Sequence, residues 1–280
     1  MVPQAANSNL VWHYTNATGL LGIVRDRELW ATHSRFMNDK LEGSVMHSAV
    51  RDFLSSEKNL TSSQLAMIEM QFGFLTSNMY PHSTRVPQGN MFLLCGSRDN
   101  DALTLWRNYA REAVSFAVGL NPETPLGIIR TDHSLRNRWS DIVRWNDVKY
   151  TSAFSELPPQ NVNPLREAAQ SEDPGDQIVR ISMELQRTLS GIKHSAFEDE
   201  RETRIAFFDD STSDWNFRAG RFGLTPYVRV GTSTQWGNYS DGSPKLPIEA
   251  IRVSANASEA DIMAVHALLE CYGLFAVRGE

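Results

Sequence analysis

The chain has 280 residues, of which 41% are apolar and 21% are charged. This composition is typical of a globular protein and excludes a disordered chain, a coiled coil and a collagen-like fibre. The net charge of −6 argues against a broadly basic nucleic-acid binder, although a local group of arginines could still hold a nucleic acid. The two cysteines, Cys95 and Cys271, match no metal-binding pattern and predict reduced thiols. With no signal peptide and no long apolar run, we expect a cytoplasmic protein without a membrane span.

Hydrophobic periodicity and capping residues predict alternating strands and helices. The predicted strands cover 10–15, 28–33, 91–97, 113–120, 126–131, 142–150, 203–208, 225–230 and 248–254. Helices are predicted after the cap residue Asn16, after the capping boxes at 39–42 and 61–64, and over about 100–111, 176–196 and 258–272. Loops are predicted at 80–90 and 156–176. No break in composition divides the chain, so we expect one α+β domain over residues 1–280, with a mixed, mainly antiparallel sheet and helical insertions.

The first candidate site lies on the opening strand. This strand carries His13 and is followed by a capped helix and a second extended segment. Strand alternation places His13 and Thr15 on one face and Tyr14 on the other. A histidine in this position could bind a ligand, or it could be a core residue that links the strand to the helix.

The second candidate site lies in residues 196–208, where charged residues precede an apolar strand. Glu200 and Glu202 are two residues apart, and they face the same side if the segment is extended. Paired carboxylates at the mouth of a strand can hold a sugar hydroxyl or stabilise a developing cation. The alternative is a solvated turn whose acids pair with Arg201 or Arg204.

The third candidate site lies in residues 92–110, where a buried strand is followed by a short helix. Ser97 or Asp99 could cap this helix, and its N-terminus would then favour a phosphate group. The alternative is an ordinary helix start with Trp106 and Tyr109 in the core.

The absence of several motifs excludes common enzyme classes. The sequence contains neither G-x-G-x-x-G after a strand nor G-x-x-x-x-G-K-[ST], which argues against a Rossmann dehydrogenase and a P-loop nucleotidase. It also lacks the motifs of zincins, α/β-hydrolases and zinc deaminases. Asn38 or Asp39 is interpreted as a helix cap rather than as a catalytic group.

Short motifs that span nearly the whole chain resemble those of one bacterial family. They are Trp12–Thr15, Leu20–Ile23, Leu29–Thr32, Arg35–Asp39, Cys95–Ser97, Leu105–Ala110, Phe197–Arg204 and, weakly, Ile248–Val253. In this order they closely resemble the bacterial family called domain of unknown function 2971. That family usually has an aromatic residue where Thr203 stands, which is a departure from its pattern.

The opening strand also resembles, more distantly, the first strand of the ADP-ribosyltransferases of the diphtheria-toxin and poly-ADP-ribose-polymerase kind. The resemblance implies an ADP-ribosyltransferase-like fold in which His13 positions the ribose and nicotinamide of NAD. Ser97 would match the serine of the second strand, and Glu200 or Glu202 the glutamate of the fifth. Tyr14 stands where that superfamily usually has glycine, which could narrow the space for nicotinamide.

Under this resemblance NAD is the substrate, Glu202 is the catalytic carboxylate and Glu200 is its helper. The residues expected to bind NAD are His13, Tyr14, Thr15, Ser97, Arg98 and Tyr109. Tyr14 or Tyr109 would stack on nicotinamide, and Arg98 or Arg107 would bind the pyrophosphate because a guanidinium matches phosphate geometry. Cleavage of the nicotinamide–ribose bond resembles glycoside hydrolysis, needs a carboxylate near a developing cation and requires no metal.

The predicted function is therefore transfer of ADP-ribose from NAD to a protein or nucleic acid, or hydrolysis of NAD. The predicted cellular role is that of a bacterial toxin or anti-phage effector, with an antitoxin or other regulatory partner. The alternative is a non-catalytic module that senses a nucleotide or a partner protein, in which His13, Trp106 and the acids of 198–204 are structural. A third interpretation, a metal-dependent nuclease using Asp39, Glu42 and Asp99, has no supporting ligand spacing. Convergence of His13 and Glu202 in one place would favour the enzyme.

Overall fold

The computed structural model describes most of the predicted strands and three helices. The described residues are 9–37, 91–109, 114–130, 144–152, 190–208, 212–220, 223–232, 246–274 and 278–279, together with the single residues 163, 167 and 184. The predicted helices that follow 39–42 and 61–64, and the predicted loop at 80–90, lie outside this part.

The described chain is rich in short strands. The strands are β1 (Val11–Asn16), β2 (Leu29–His33), β3 (Met91–Ser97), β4 (Ser115–Leu120), β5 (Leu126–Ile128), β6 (Asn146–Asp147), β7 (Lys149–Thr151), β8 (Ile192–His194), β9 (Glu202–Phe208), β10 (Asn216–Gly220), β11 (Gly223–Thr232), β12 (Ile248–Val253) and β13 (Arg278–Gly279). The α-helices are α1 (Ala17–Asp26), α2 (Leu103–Tyr109) and α3 (Glu259–Cys271). Short 3₁₀ helices cover Ser34–Phe36, Ser195–Glu200 and Thr212–Asp214. No helix in the described ranges is long and apolar enough to cross a membrane.

Eleven strands form one sheet, whose main path is β10-β11-β2-β3-β1-β4-β12-β13. Strand β5 joins β11, while β9 pairs with β3 and with β6. Every described pairing in this sheet is antiparallel except that of β12 with β13. The predicted α+β class with a mainly antiparallel sheet is therefore confirmed.

The sheet opens beside β3. On one side, β9 pairs with the whole strand from Met91 to Ser97. On the other side, the described pairing joins the start of β3 to β2, at Phe92 and Leu93, and its end to β1, at Ser97. Strands β1 and β2 thus separate alongside residues 94–96, and we call this gap between them the notch.

The two faces of the sheet are covered differently. One face carries the main core, to which α1 contributes Leu20, Ile23 and Val24 and α3 contributes Val265 and Leu269. The other face has a smaller cluster in which α2 covers β1 and β4, and its members are Leu10, Trp12, Tyr14, Ala102, Trp106, Ala117 and Ala250. Helix α2 ends at Tyr109, beside the notch.

The predicted helix over 176–196 is wrong at its end. Residues Ile192–His194 form β8, which pairs in parallel with β7, and a 3₁₀ helix follows directly. The Lys149 N–H also donates to the Gly191 carbonyl (2.8 Å). Helical spacing of apolar residues suggested the longer helix, but pairing with a distant strand overrides such local periodicity. Strand β10 was not predicted either.

A close approach of α1 to β1 gives a prediction for the fold. Asn16 caps α1 by accepting a hydrogen bond from the Gly19 N–H (2.9 Å), and a Cβ added at Gly19 would lie only 2.0 Å from Thr15 Oγ1. Gly19→Ala should therefore lower the free energy of unfolding by about 1–3 kcal/mol. Gly22→Ala, in the same helix with open space around it, should instead raise it by up to about 1 kcal/mol. Urea unfolding of both variants checks this, and equal effects would contradict the clash.

Candidate functional site

The candidate site occupies the sheet face opposite the main core. In the ladder between β3 and β9, Cys95 lies opposite Arg204 and Ser97 lies opposite Glu202. Residues directly opposite each other in a sheet share a face, so these four side chains lie together. Arg204 and Glu202 are both buried there, which is unusual for charged residues unless they are paired.

The two predicted carboxylates come together on a buried lysine. Lys193 Nζ lies 2.8 Å from Glu200 Oε2 and 2.9 Å from Glu202 Oε2. Glu200 ends a 3₁₀ helix and Glu202 begins β9, with Arg201 between them in the left-handed conformation (φ 43°). The left-handed residue, rather than strand alternation, therefore turns both carboxylates towards Lys193.

Glu202 is held by three further contacts. Its Oε1 lies 2.7 Å from Arg204 Nε, its Oε2 accepts from Arg204 Nη2 (3.0 Å), and the Cys95 thiol also donates to the carboxylate. The paired guanidinium contact is the bidentate arrangement that arginine favours. The ion pair with Arg204 that belonged to the alternative is formed. The turn is solvated at Glu198, Asp199 and Arg201, whereas Glu200 and Glu202 are each only 7% exposed.

These contacts determine the charge of Glu202. Burial alone would raise the pKa of this carboxyl, but Arg204, Lys193 and the Cys95 thiol outweigh burial and lower the pKa to about 2. Glu202 is therefore ionised throughout the physiological range. An ionised carboxylate can accept hydrogen bonds and stabilise a cation, but it cannot act as a general acid.

The lowered pKa of Glu202 predicts a dependence of stability on pH. A fall from the ordinary 4.5 to about 2 corresponds to roughly 3 kcal/mol of stability at neutral pH. Because the folded-state pKa is the lower one, this stabilisation is complete well above pH 4.5 and is lost progressively as the pH falls towards 2. We expect the difference in the free energy of unfolding between wild type and Glu202→Gln to shrink over this window in urea titrations, whereas a constant difference would contradict the assignment.

His13 lies at the notch with a defined tautomer. Its Nδ1 lies 2.9 Å from the Cys95 carbonyl oxygen, which can only accept, so Nδ1 carries the proton. Burial lowers the pKa of His13 and the nearby Arg218 lowers it further, against the opposing effect of the Cys95 carbonyl. A neutral ring protonated at Nδ1 leaves Nε2 as a hydrogen-bond acceptor.

Tyr109 brings an aromatic ring to the same group. Loss of hydration, followed by the influence of Cys95, Glu202 and Glu200, raises the pKa of its phenol to about 12. The residue is nevertheless 42% exposed, so solvent reaches part of it. Tyr109 is thus a neutral, partly accessible aromatic residue beside the carboxylates.

The structure brings His13 and Glu202 together around one residue. His13 binds the carbonyl of Cys95, and Glu202 accepts from the thiol of the same residue. Arg218 is electrostatically coupled to both His13 and Tyr109. Both residues therefore contact Cys95, His13 at the backbone carbonyl and Glu202 at the thiol, and their convergence on one ligand stays a prediction.

The structure corrects the prediction that Tyr14 binds NAD. Its side chain is 4% exposed and makes an edge-to-face contact with Trp106 (4.7 Å between ring centroids). Its hydroxyl donates to the Asp99 carbonyl (2.8 Å) and accepts from the Ala102 N–H (3.0 Å). Strand alternation places this ring under α2, where it cannot stack on a ligand in the notch.

Ser97 and Thr15 are also corrected to structural residues. The Ser97 hydroxyl is buried, donates to the Glu200 carbonyl (2.7 Å) and accepts from the Asp99 N–H (2.9 Å). Thr15 is buried against Gly19 of α1. Ser97 therefore contributes to the site indirectly, by fixing the backbone at Glu200.

At the predicted phosphate site, one backbone donor before α2 is already used. The Ala102 N–H, just before the helix, is bound by the Tyr14 hydroxyl. Arg98 Nε forms an ion pair with Asp147 (2.8 Å), and Arg107 is exposed on α2. No described contact brings either arginine to the notch, and their assignment to a pyrophosphate stays a prediction.

Sequence reasoning missed Lys193 and Arg218. Lys193 fell inside a predicted helix, and Arg218 fell in the unpredicted strand β10. The signal for Lys193 was weak: Ile192 and His194 flank it after Gly191, which is compatible with a short strand. Of the residues in the metal-dependent interpretation, Asp39 and Glu42 lie outside the described residues, and Asp99 Oδ1 accepts from the Asp101 N–H.

Comparison with known proteins gave no match. No family model, no curated protein and no solved structure matches the chain. What the protein does must therefore be inferred from the chemistry of the notch.

Proposed function

We propose that the protein binds NAD at the notch and cleaves the bond between nicotinamide and ribose, transferring ADP-ribose to a macromolecule or to water. One observation carries this proposal: ionised Glu202 and neutral His13 are both held against Cys95 where the sheet opens. As a cellular role we propose a bacterial toxin or anti-phage effector, with a protein or nucleic acid as acceptor and an antitoxin or other regulatory partner.

The proposed reaction needs a fixed negative charge. When the C1′–N bond breaks, its electron pair leaves with neutral nicotinamide and positive charge develops on the ribose, as in glycoside hydrolysis. Glu202 would stabilise that charge and accept a hydrogen bond from a ribose hydroxyl. The acceptor then attacks C1′ and loses a proton, for which Glu200 is the proposed base.

His13 and Tyr109 would orient the substrate. The unprotonated Nε2 of His13 can accept a hydrogen bond from the ribose. The accessible part of the Tyr109 ring can stack on nicotinamide, whereas Tyr14 lacks this access. The resemblance implied that either Tyr14 or Tyr109 stacks on nicotinamide, and we now propose this role for Tyr109 alone.

Release of nicotinamide tests the proposal. Purified protein is incubated with NAD, alone and with bacterial lysate as the source of acceptors, and free nicotinamide is quantified by chromatography. Release without lysate indicates NAD hydrolysis, and release only with lysate indicates transfer. No release in either condition would contradict the enzymatic proposal.

A specific observation favours a second candidate, a non-catalytic nucleotide-binding module. Both oxygens of Glu202 already contact cationic groups of Lys193 or Arg204, and the side chain is only 7% exposed. A carboxylate committed to such a network can be purely structural. This candidate predicts that NAD binds without release of nicotinamide.

A further inference from the structure

We propose that Arg218 forms a phosphate-binding subsite at the notch that takes the diphosphate of a nucleotide. This deepens the proposed function and rests on it for the identity of the nucleotide as NAD. Arg218 lies on β10, on the sheet face that also carries Thr32 and Tyr227. Its Nη2 donates to Thr32, and Thr32 pairs with Leu93 directly beside residues 94–96, so the guanidinium lies next to the notch.

The guanidinium of Arg218 is held in place by neutral groups. Its Nη2 donates to Thr32 Oγ1 (2.8 Å), and its central carbon lies 5.6 Å from the Trp30 ring centroid and 5.9 Å from that of Tyr227. The two rings stack on each other at 4.5 Å. A guanidinium has about five N–H donors, and Thr32 uses one, so most remain for a ligand in a fixed planar geometry.

Arg218, like Arg252 of β12, has no acidic partner among the described residues, whereas several other arginines do. Ion pairs join Arg98 to Asp147, Arg130 to Asp214, Arg204 to Glu202 and Arg229 to Glu28. Arg218 is nevertheless half-buried, and burial lowers its pKa. A cation removed from water without a counter-charge is destabilising, and a bound anion would offset that cost.

The local charge balance also favours an anion. Lys193 and Arg204 neutralise the carboxylates of Glu200 and Glu202, so Arg218 contributes a surplus positive charge among the described residues of the notch. This surplus occurs in a chain whose net charge is −6. Phosphate suits this position, because two of its oxygens can accept from the planar guanidinium at once.

Calorimetric titration with ADP, adenosine and inorganic pyrophosphate tests the subsite. We expect wild type to bind ADP and pyrophosphate, and Arg218→Gln to weaken both by at least about 10-fold, the effect of losing a charged hydrogen-bond donor. Binding of adenosine, which has no phosphate, should change less than about twofold. Arg218→Lys keeps the positive charge but not the planar guanidinium, so its loss of affinity for ADP and pyrophosphate should be intermediate. This variant serves as the test if Arg218→Gln does not fold.

Arg229→Gln is the matched control, because Arg229 lies on neighbouring β11 and pairs with Glu28. It should bind ADP within about twofold of wild type. The proposal is overturned if wild type binds neither ADP nor pyrophosphate, or if Arg218→Gln binds ADP as tightly as wild type does. It is also overturned if Arg218→Gln loses as much affinity for adenosine as for ADP. If ADP binding depends on Arg218 but no nicotinamide is released, the proposed activity is rejected and the subsite is retained. If nicotinamide is released but ADP binding does not depend on Arg218, only the subsite is rejected.

Discussion

Glu202→Gln is expected to reduce nicotinamide release from NAD by at least about 100-fold, because it removes the negative charge that faces the developing cation. The same substitution leaves Arg204 and Lys193 with less compensating charge in a buried site. We therefore also expect a loss of about 3–5 kcal/mol in the free energy of unfolding. Nicotinamide release should be measured at a temperature where unfolding curves show the variant fully folded.

Asp214→Asn is the control that separates activity from stability. Asp214 Oδ2 lies 3.0 Å from Arg130 Nη1, and both side chains are buried. Its substitution also neutralises one partner of a buried ion pair, so a comparable loss of stability is expected, but nicotinamide release by the folded protein should remain near that of wild type. Equal release by Glu202→Gln and Asp214→Asn would contradict the catalytic role of Glu202.

Lys193→Met should also produce a large loss of stability. The substitution removes the only cation that the described contacts show bridging Glu200 and Glu202, and it leaves the two buried carboxylates close to each other. A loss of about 3–5 kcal/mol in the free energy of unfolding is expected. Adding Glu200→Gln should recover about 1–2 kcal/mol, because it removes one of the two like charges.

Urea unfolding of the single and double variants measures this coupling. Lys149→Met is a suitable control, since Lys149 is an exposed residue of β7 and its substitution should change stability by less than about 0.5 kcal/mol. If Lys193→Met costs no more than Lys149→Met, or if Glu200→Gln brings no recovery, the lysine does not hold the two carboxylates together.

The parts of the fold that sequence predicted best are those whose pattern is unambiguous. Strand β3 has the predicted bounds, Met91–Ser97, because apolar residues on both faces are typical of a strand buried on both sides. The cap at Asn16 placed the start of α1 correctly. Glu200 and Glu202 were identified as a pair because their spacing is local, although a left-handed turn at Arg201 produces their convergence.

The rest depended on contacts between distant segments. Tyr14 was assigned to NAD, but its surroundings are set by α2, nearly 90 residues further along the chain. Lys193 and Arg218 acquire their roles only when β8 and β10 take their places, and neither short strand has a distinctive pattern of its own. Local periodicity therefore predicted the strands that carry His13 and Glu202, and it could not predict which cations would surround them.

The separation of the site's parts along the chain has a consequence for biosynthesis. Arg218 meets Thr32 across 186 residues, and Arg229 meets Glu28 across 201. Because the chain is made from its N-terminus, these contacts cannot form until the later strands have left the ribosome. If the protein consumes NAD, nascent chains that end before β10 lack part of the site and stay inert, so a cell that makes the protein is exposed to its activity only once β10 has been synthesised.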